Sequence, residues 1–175
     1  MKLKALIDKR TLYIKNTEYT TASTYIQEIT GGKYQIRLVG GGGGSAYTDG
    51  GSDSYSDTSW AWHYGKSGSD GGTFDGLAIL PKGTLSITVG AVGTNQAGKG
   101  VASGNGGDSY AIFTPENGEP VEIARAYGGK SGYPDGSNFQ TAVEGGKVTY
   151  NSDYFEVVYV AQQGMSGVLK WSIKR

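Results

Sequence analysis

Apolar and polar positions alternate along one stretch of this chain. Tyr34, Ile36 and Leu38 are interleaved with Gln35, Arg37 and Val39, and five glycines, Gly40 to Gly44, follow at once. Period-two alternation marks a half-buried strand. Five glycines alone would read as a flexible linker. These adjoin a strand, and glycine pairs recur at Gly50-Gly51, Gly71-Gly72, Gly106-Gly107, Gly128-Gly129 and Gly145-Gly146, always near strand-like or aromatic sequence. A packed role is therefore expected.

The same pattern predicts the other elements. Residues 2–7 and 11–15 read as two short strands, and 17–24 as a Thr-rich connector. Residues 25–29 and 33–39 read as a hairpin turned at Gly31-Gly32, where glycine supplies positive φ. Leu77 to Leu80 and Leu85 to Val89 read as strands joined by a turn at Pro81-Lys82-Gly83. Residues 109–113 and 121–126 form another predicted hairpin, and 147–150, 154–160 and 168–173 read as closing strands. No segment has helical periodicity; 17–28 is too rich in Thr and Tyr. Glycine-rich arcs follow Val39 and cover 90–107 and 128–136.

Glycine segments lie against each other at backbone distance because no side chain intervenes. In the polyproline II conformation they have no internal hydrogen bonds, so each buried N–H and C=O needs a partner on a neighbouring segment. The expected product is a lattice of main-chain bonds, in which Gly42, for example, would reject a branched side chain. Ordering glycine costs backbone entropy, so such a lattice suits a thin rigid platform.

Composition agrees. The chain has 175 residues, enough for one domain with a core. It has 31 Gly but only 4 Pro and no Gly-X-Y period, which excludes collagen. Its 13 Tyr and 3 Trp argue against whole-chain disorder. Formal net charge is zero, which gives no pull toward nucleic acid or anionic membrane. Residues 1–15 nevertheless carry five cations against Asp8, 5 − 1 = +4, and residues 45–76 carry Lys66 against five aspartates, 1 − 5 = −4. Two solvated surfaces, or a docking end and a display end, both fit this asymmetry. The absence of Cys excludes disulfides and thiolate metal sites. Ala5-Leu6-Ile7 is too short for a signal-peptide core and Val157 to Ala161 too short to span a bilayer, so synthesis and folding in a cytoplasm are expected.

The ordered pieces Tyr34 to Gly44, Leu80-Pro81-Lys82-Gly83-Thr84-Leu85-Ser86-Ile87-Thr88-Val89-Gly90-Ala91, Gly104 to Tyr110 and Ala126 to Gly132 resemble the glycine-rich domain of bacteriophage tail-fibre and adhesin proteins. The resemblance covers roughly residues 25–136. It implies an all-β, β-sandwich-like domain with packed polyglycine II arcs and no substantial helix, with loops at the lattice tip that contact a bacterial surface. The expected division is 1–24, an N-terminal β-hairpin and connector, and 25–175, the glycine-rich domain. The chain departs from the family pattern at Val92, which interrupts a glycine arc, and at 46–69, which is aromatic and acidic.

Catalytic chemistry is poorly served. His63 is the only histidine, and no nucleophile elbow or zinc-ligand spacing occurs. No enzyme activity and no cofactor are expected. Asp49, Asp53 and Asp57 hint at calcium but lack the glycine and terminal glutamate of an EF-hand, so solvated turn carboxylates are the favoured reading. The segment from Tyr47 to Phe74 has a recognition composition: rigid amphipathic aromatics among Ser, Gly and Asp. Candidate receptor-binding residues are Tyr47, Asp53, Tyr55, Asp57, Trp60, Trp62, His63 and Tyr64, with Tyr133, Asn138 and Phe139 from a second aromatic cluster. Trp60 and Trp62 fit core packing equally well. Lys2, Lys4, Lys9 and Arg10 are candidate virion-docking residues. The expected function is a virion protein of the tail-fibre or adhesin type, binding a surface glycan or outer-membrane protein. The alternative is a structural virion subunit for capsid decoration, a head fibre or fibre assembly, with its aromatic loop packed on another virion protein.

Overall fold

A computed structural model of the chain describes residues 17–45, 68–95, 103–132 and 145–160 in full, and 52–55, 59–62, 161 and 172–173 through their backbone. The described residues contain nine strands and no helix: β1 (Ser23–Val39), β2 (Ser52–Tyr55), β3 (Ser59–Trp62), β4 (Thr73–Val89), β5 (Ser109–Pro115), β6 (Val121–Ala126), β7 (Val148–Tyr150), β8 (Phe155–Ala161) and β9 (Ser172–Ile173). The fold is all-β, and every pairing is antiparallel. The main sheet runs β7-β6-β5-β4-β8-β9, with β1 also on β4, and β2 pairs with β3 separately.

Two expected hairpins are instead two continuous strands. β1 runs through Gly31-Gly32 and β4 through Pro81-Lys82-Gly83, and they pair with each other from Ser23↔Val89 to Val39↔Thr73. The glycines act as a hinge in a strand. Gly31 has φ 90° and Gly32 φ 140°, values that L side chains avoid. Across this hinge the buried face changes parity. Ile29 is buried before it, Ile36 and Leu38 after it; on β4, Leu85 and Gly83 give way to Leu80, Ala78, Gly76 and Phe74. A register slip would normally be needed to exchange strand faces. Here register is kept and the hinge turns the ribbon over. Proline is tolerated on β4 because the hinge interrupts the ladder at that level.

The ribbon also folds back on itself. Seventeen residues of strand would span roughly 55 Å if straight. Yet Ser109 Oγ donates to Val39 O at 2.7 Å and accepts from Gly90 N at 2.9 Å, joining the two ends of the ribbon. Ser109 is the buried polar residue of the core, 3% exposed, and these two bonds satisfy its hydroxyl. The other edge of β4 is shared: its first half pairs with β8 and its second half with β5.

The core collects apolar side chains from both halves of the ribbon and from β5, β6 and β8: Ile29, Leu38, Phe74, Leu80, Phe113, Ile123, Phe155 and Val158 among them. Phe74 and Phe155 meet edge to face with ring centroids 4.9 Å apart. Gly76 makes the contact possible, because a Cβ there would stand 2.6 Å from Phe74 and 2.7 Å from Phe155. A bulge between Ala111 and Ile112 gives β6 one extra residue, Ile123, which is fully buried. The predicted strands 2–7 and 11–15 lie outside the described residues.

Candidate functional site: a main-chain lattice

Six runs outside the strands hold most of the glycines: 40–45, 68–72, 90–95, 103–108, 127–132 and 145–147. They bond to one another through the main chain. From the first run, Gly40 and Gly43 donate to Gly72 and Ser69 of the second, and Gly41 and Gly44 donate to Gly107 and Gly104 of the fourth. Its carbonyls accept in turn: Gly42 from Gly93 of the third run, Gly41 and Gly44 from Gly129 and Gly132 of the fifth. Partners recur every third residue, the repeat of a three-residue-per-turn chain. The peripheral runs close the set through Ser69 N to Lys130 O, Gly104 N to Thr94 O, Gly106 N to Gly129 O and Gly146 N to Asp70 O.

This arrangement explains the run of five glycines. It is the central strand of the lattice and touches four neighbours. A Cβ at Gly40, Gly41, Gly43 or Gly44 would stand 2.2, 2.0, 1.9 or 2.0 Å from a neighbouring carbonyl oxygen. Gly42 differs. Its nearest neighbour would be Ser69 O at 4.0 Å, so the expectation that Gly42 rejects a side chain is corrected. The three-residue repeat puts it in phase with Val39 and Ser45, which do carry side chains. Val92 does not disturb the lattice either: it is 75% exposed while Gly93 N still bonds Gly42 O at 2.8 Å.

Both ends of the lattice are tied by polar side chains. At the sheet end, Asp108 Oδ1 accepts from Gly128 N at 3.0 Å and Oδ2 from Arg125 Nη1 at 2.9 Å. Arg125 also grips Glu122 through Nε and lies over the Tyr110 ring, 4.4 Å from its centroid. Hydrogen bonding to Glu122, and then to Asp108, raises the guanidinium pKa against the opposing effect of burial. At the opposite end, Ser45 N donates to Asn95 Oδ1 at 2.9 Å, Ser131 N to Asn105 Oδ1 at 2.8 Å, and Ser103 Oγ to Gly132 O at 2.8 Å.

That second end is where the chain departs into 46–67, 96–102 and 133–144. The bases of the first and third segments touch directly, through Gly132 N to Gly44 O at 2.8 Å. The two candidate aromatic segments thus start from adjacent runs. Inside 46–67, β2 and β3 form a hairpin that sequence periodicity did not reveal, in register Ser52↔Trp62, Asp53↔Ala61, Ser54↔Trp60 and Tyr55↔Ser59. Trp60 and Trp62 therefore occupy alternate positions of one strand, opposite Ser54 and Ser52. Tyr47, Asp57, His63, Tyr64, Tyr133, Asn138 and Phe139 lie outside the described residues, as do Lys2, Lys4, Lys9 and Arg10. So does the carboxylate spacing weighed for calcium, apart from the backbone of Asp53.

Sequence reasoning missed Ser109, Asp108, Asn95 and Asn105. The signal available was a polar residue with a short side chain within two positions of a glycine, a type that bonds nearby backbone. Two concavities on the described surface are shallow. One of about 180 Å³ is lined by Ile79 and Ser152 to Glu156, and one of about 230 Å³ by Glu122 to Ala124 and Thr149 to Asn151. Both fall below the roughly 300 Å³ at which ligand pockets begin. Among the described residues no group of three or more His, Cys, Asp or Glu stands close enough to hold a metal. Comparison with protein-family models, curated proteins and solved structures finds no match.

Proposed function

We propose that this chain is a non-enzymatic adhesin-type module of a bacteriophage virion, a β-sandwich-like domain whose glycine runs are packed polyglycine II helices. The folded-back β1–β4 ribbon and the three-residue bonding step between runs support that architecture. The observation that carries the functional reading is the direct bond between the bases of 46–67 and 133–144, Gly132 N to Gly44 O. It starts two segments of recognition composition side by side on a main-chain platform. A rigid platform lowers the entropic cost of presenting loops to a partner. The partner is a bacterial surface glycan or outer-membrane protein, met by Tyr47, Tyr55, Trp60, Trp62, Tyr64, Tyr133 and Phe139 with Asp53, Asp57, His63 and Asn138 around them. Lys2, Lys4, Lys9 and Arg10 serve as the contact to an acidic virion partner.

The test is adsorption. Purified protein should bind susceptible cells and block infection. Trp60→Ala combined with Trp62→Ala should abolish both while leaving the melting temperature unchanged, because an exposed anchor contributes about 2 kcal/mol or more to association and little to the free fold. If the double variant unfolds, the tryptophans are core and the reading fails. If it adsorbs normally but is not built into virions, the protein is a structural virion subunit.

A further inference from the structure

The chain contains two Asn-Gly steps, Asn105-Gly106 and Asn117-Gly118. Asparagine followed by glycine is chemically vulnerable, since no side chain shields the next amide nitrogen from the asparagine carboxamide. The fold treats the two steps oppositely. Asn105 lies in the lattice. Its Oδ1 accepts from Ser131 N at 2.8 Å, and the nitrogen that would attack, Gly106 N, donates to Gly129 O at 2.9 Å. The backbone there has no room to turn, since a Cβ on Gly106 would stand 1.9 Å from Gly41 O. Asn117 lies in the turn between β5 and β6, at the end of the hairpin away from the lattice. It is exposed, and Gly118 N is held by a single 3.2 Å bond to Pro115 O.

We propose that Asn117 is a site of spontaneous deamidation and isoaspartate formation in the native protein, and that the lattice protects Asn105 from the same reaction. Gly118 N attacks Asn117 Cγ. The new N–Cγ bond forms, the Cγ–Nδ2 bond breaks, and ammonia leaves with the amide proton. Water then opens the resulting succinimide at either carbonyl, giving aspartate or isoaspartate. Nothing is oxidised or reduced; one water is consumed and one ammonia released. The product places a carboxylate between Glu116 and Glu119, beside the Lys82–Glu116 ion pair. It also adds a methylene to the backbone of the turn in the isoaspartate form.

The experiment is peptide mapping by mass spectrometry after prolonged incubation of the intact protein in mildly alkaline buffer, with fragmentation that separates aspartate from isoaspartate. The 117–118 peptide should gain the mass of an NH-to-O exchange. The 105–106 peptide should convert at least about tenfold more slowly, an opening cost of about 1.4 kcal/mol at Gly106. In denaturant the two steps should convert at similar rates, which assigns the difference to the fold. Asn117→Gln should abolish conversion at that position and leave the melting temperature unchanged. Equal conversion of the two steps in native protein, faster conversion of Asn105, or an unmodified Asn117 under conditions that convert it in denaturant would each overturn the proposal.

Discussion

Five identical glycines in a row should respond very differently to one added methyl group. In Gly43→Ala the new Cβ would lie 1.9 Å from Lys130 O, whereas ordinary contact begins at 3.4 Å, so the runs must part by 3.4 − 1.9 = 1.5 Å. Gly43 N to Ser69 O and Ser69 N to Lys130 O are both 2.9 Å and cannot survive that movement. Two or three lost bonds at about 2 kcal/mol each put the cost at about 4–6 kcal/mol, a large share of the roughly 5–15 kcal/mol that holds a domain together. At about 2–4 °C per kcal/mol for a chain of this length, the melting temperature should fall by roughly 10–20 °C. Gly42→Ala meets nothing nearer than 4.0 Å and its backbone is not in the positive-φ region. It should be neutral or raise stability by up to about 1 kcal/mol by stiffening the unfolded chain. Thermal unfolding followed by circular dichroism compares the two. Equal losses, or a harmless Gly43→Ala, would refute the lattice as the source of order.

Other substitutions probe the remaining supports. Ser109→Ala removes the hydroxyl that joins Val39 O to Gly90 N and should cost about 2–4 kcal/mol, read from urea denaturation midpoints. Phe113→Ala empties a fully buried site and should cost about 3–5 kcal/mol by the same measure. Gly31→Ala should lower the melting temperature because φ 90° is strained for alanine and its Cβ would press on Lys82 N at 3.1 Å. Lys33→Ala breaks an ion pair whose side chains are 61% and 41% exposed, and should leave the melting temperature unaltered.

Strand positions were legible in the sequence because period-two alternation survives wherever one face is buried. β5 and β6 start where the pattern places them, and β8 lies within a residue of it. Connectivity was less legible. Gly31-Gly32 and Pro81-Lys82-Gly83 carry turn chemistry, and nothing local distinguishes a hairpin turn from a hinge inside a paired ribbon. What decides is that the two hinges face each other, a contact between residues far apart in the chain. The packed role of Gly40 to Gly44 was legible from its setting. Which glycine stands free was not, because Gly42 depends on which of four neighbouring runs surrounds it. The β2–β3 hairpin was hidden because its strands, Ser52–Tyr55 and Ser59–Trp62, are four residues each and the first carries no apolar alternation to pair with the tryptophans of the second.

The bonding of the runs has a mechanical consequence. Main-chain bonds cross from run to run along their length, and the chain passes up and down between the sheet end and the end where 46–67, 96–102 and 133–144 depart. A pull applied between those two ends acts along the runs and across the bonds. It loads Gly40, Gly41, Gly43 and Gly44 together, in shear, instead of opening them one after another as a peeled hairpin would. The first run must slide past the second and the fourth at the same moment to yield. Resistance to traction is therefore directional in this molecule: high along the glycine runs, and lower for a force that peels β1 from the edge of the sheet, where β4 is its one strand partner among the described residues.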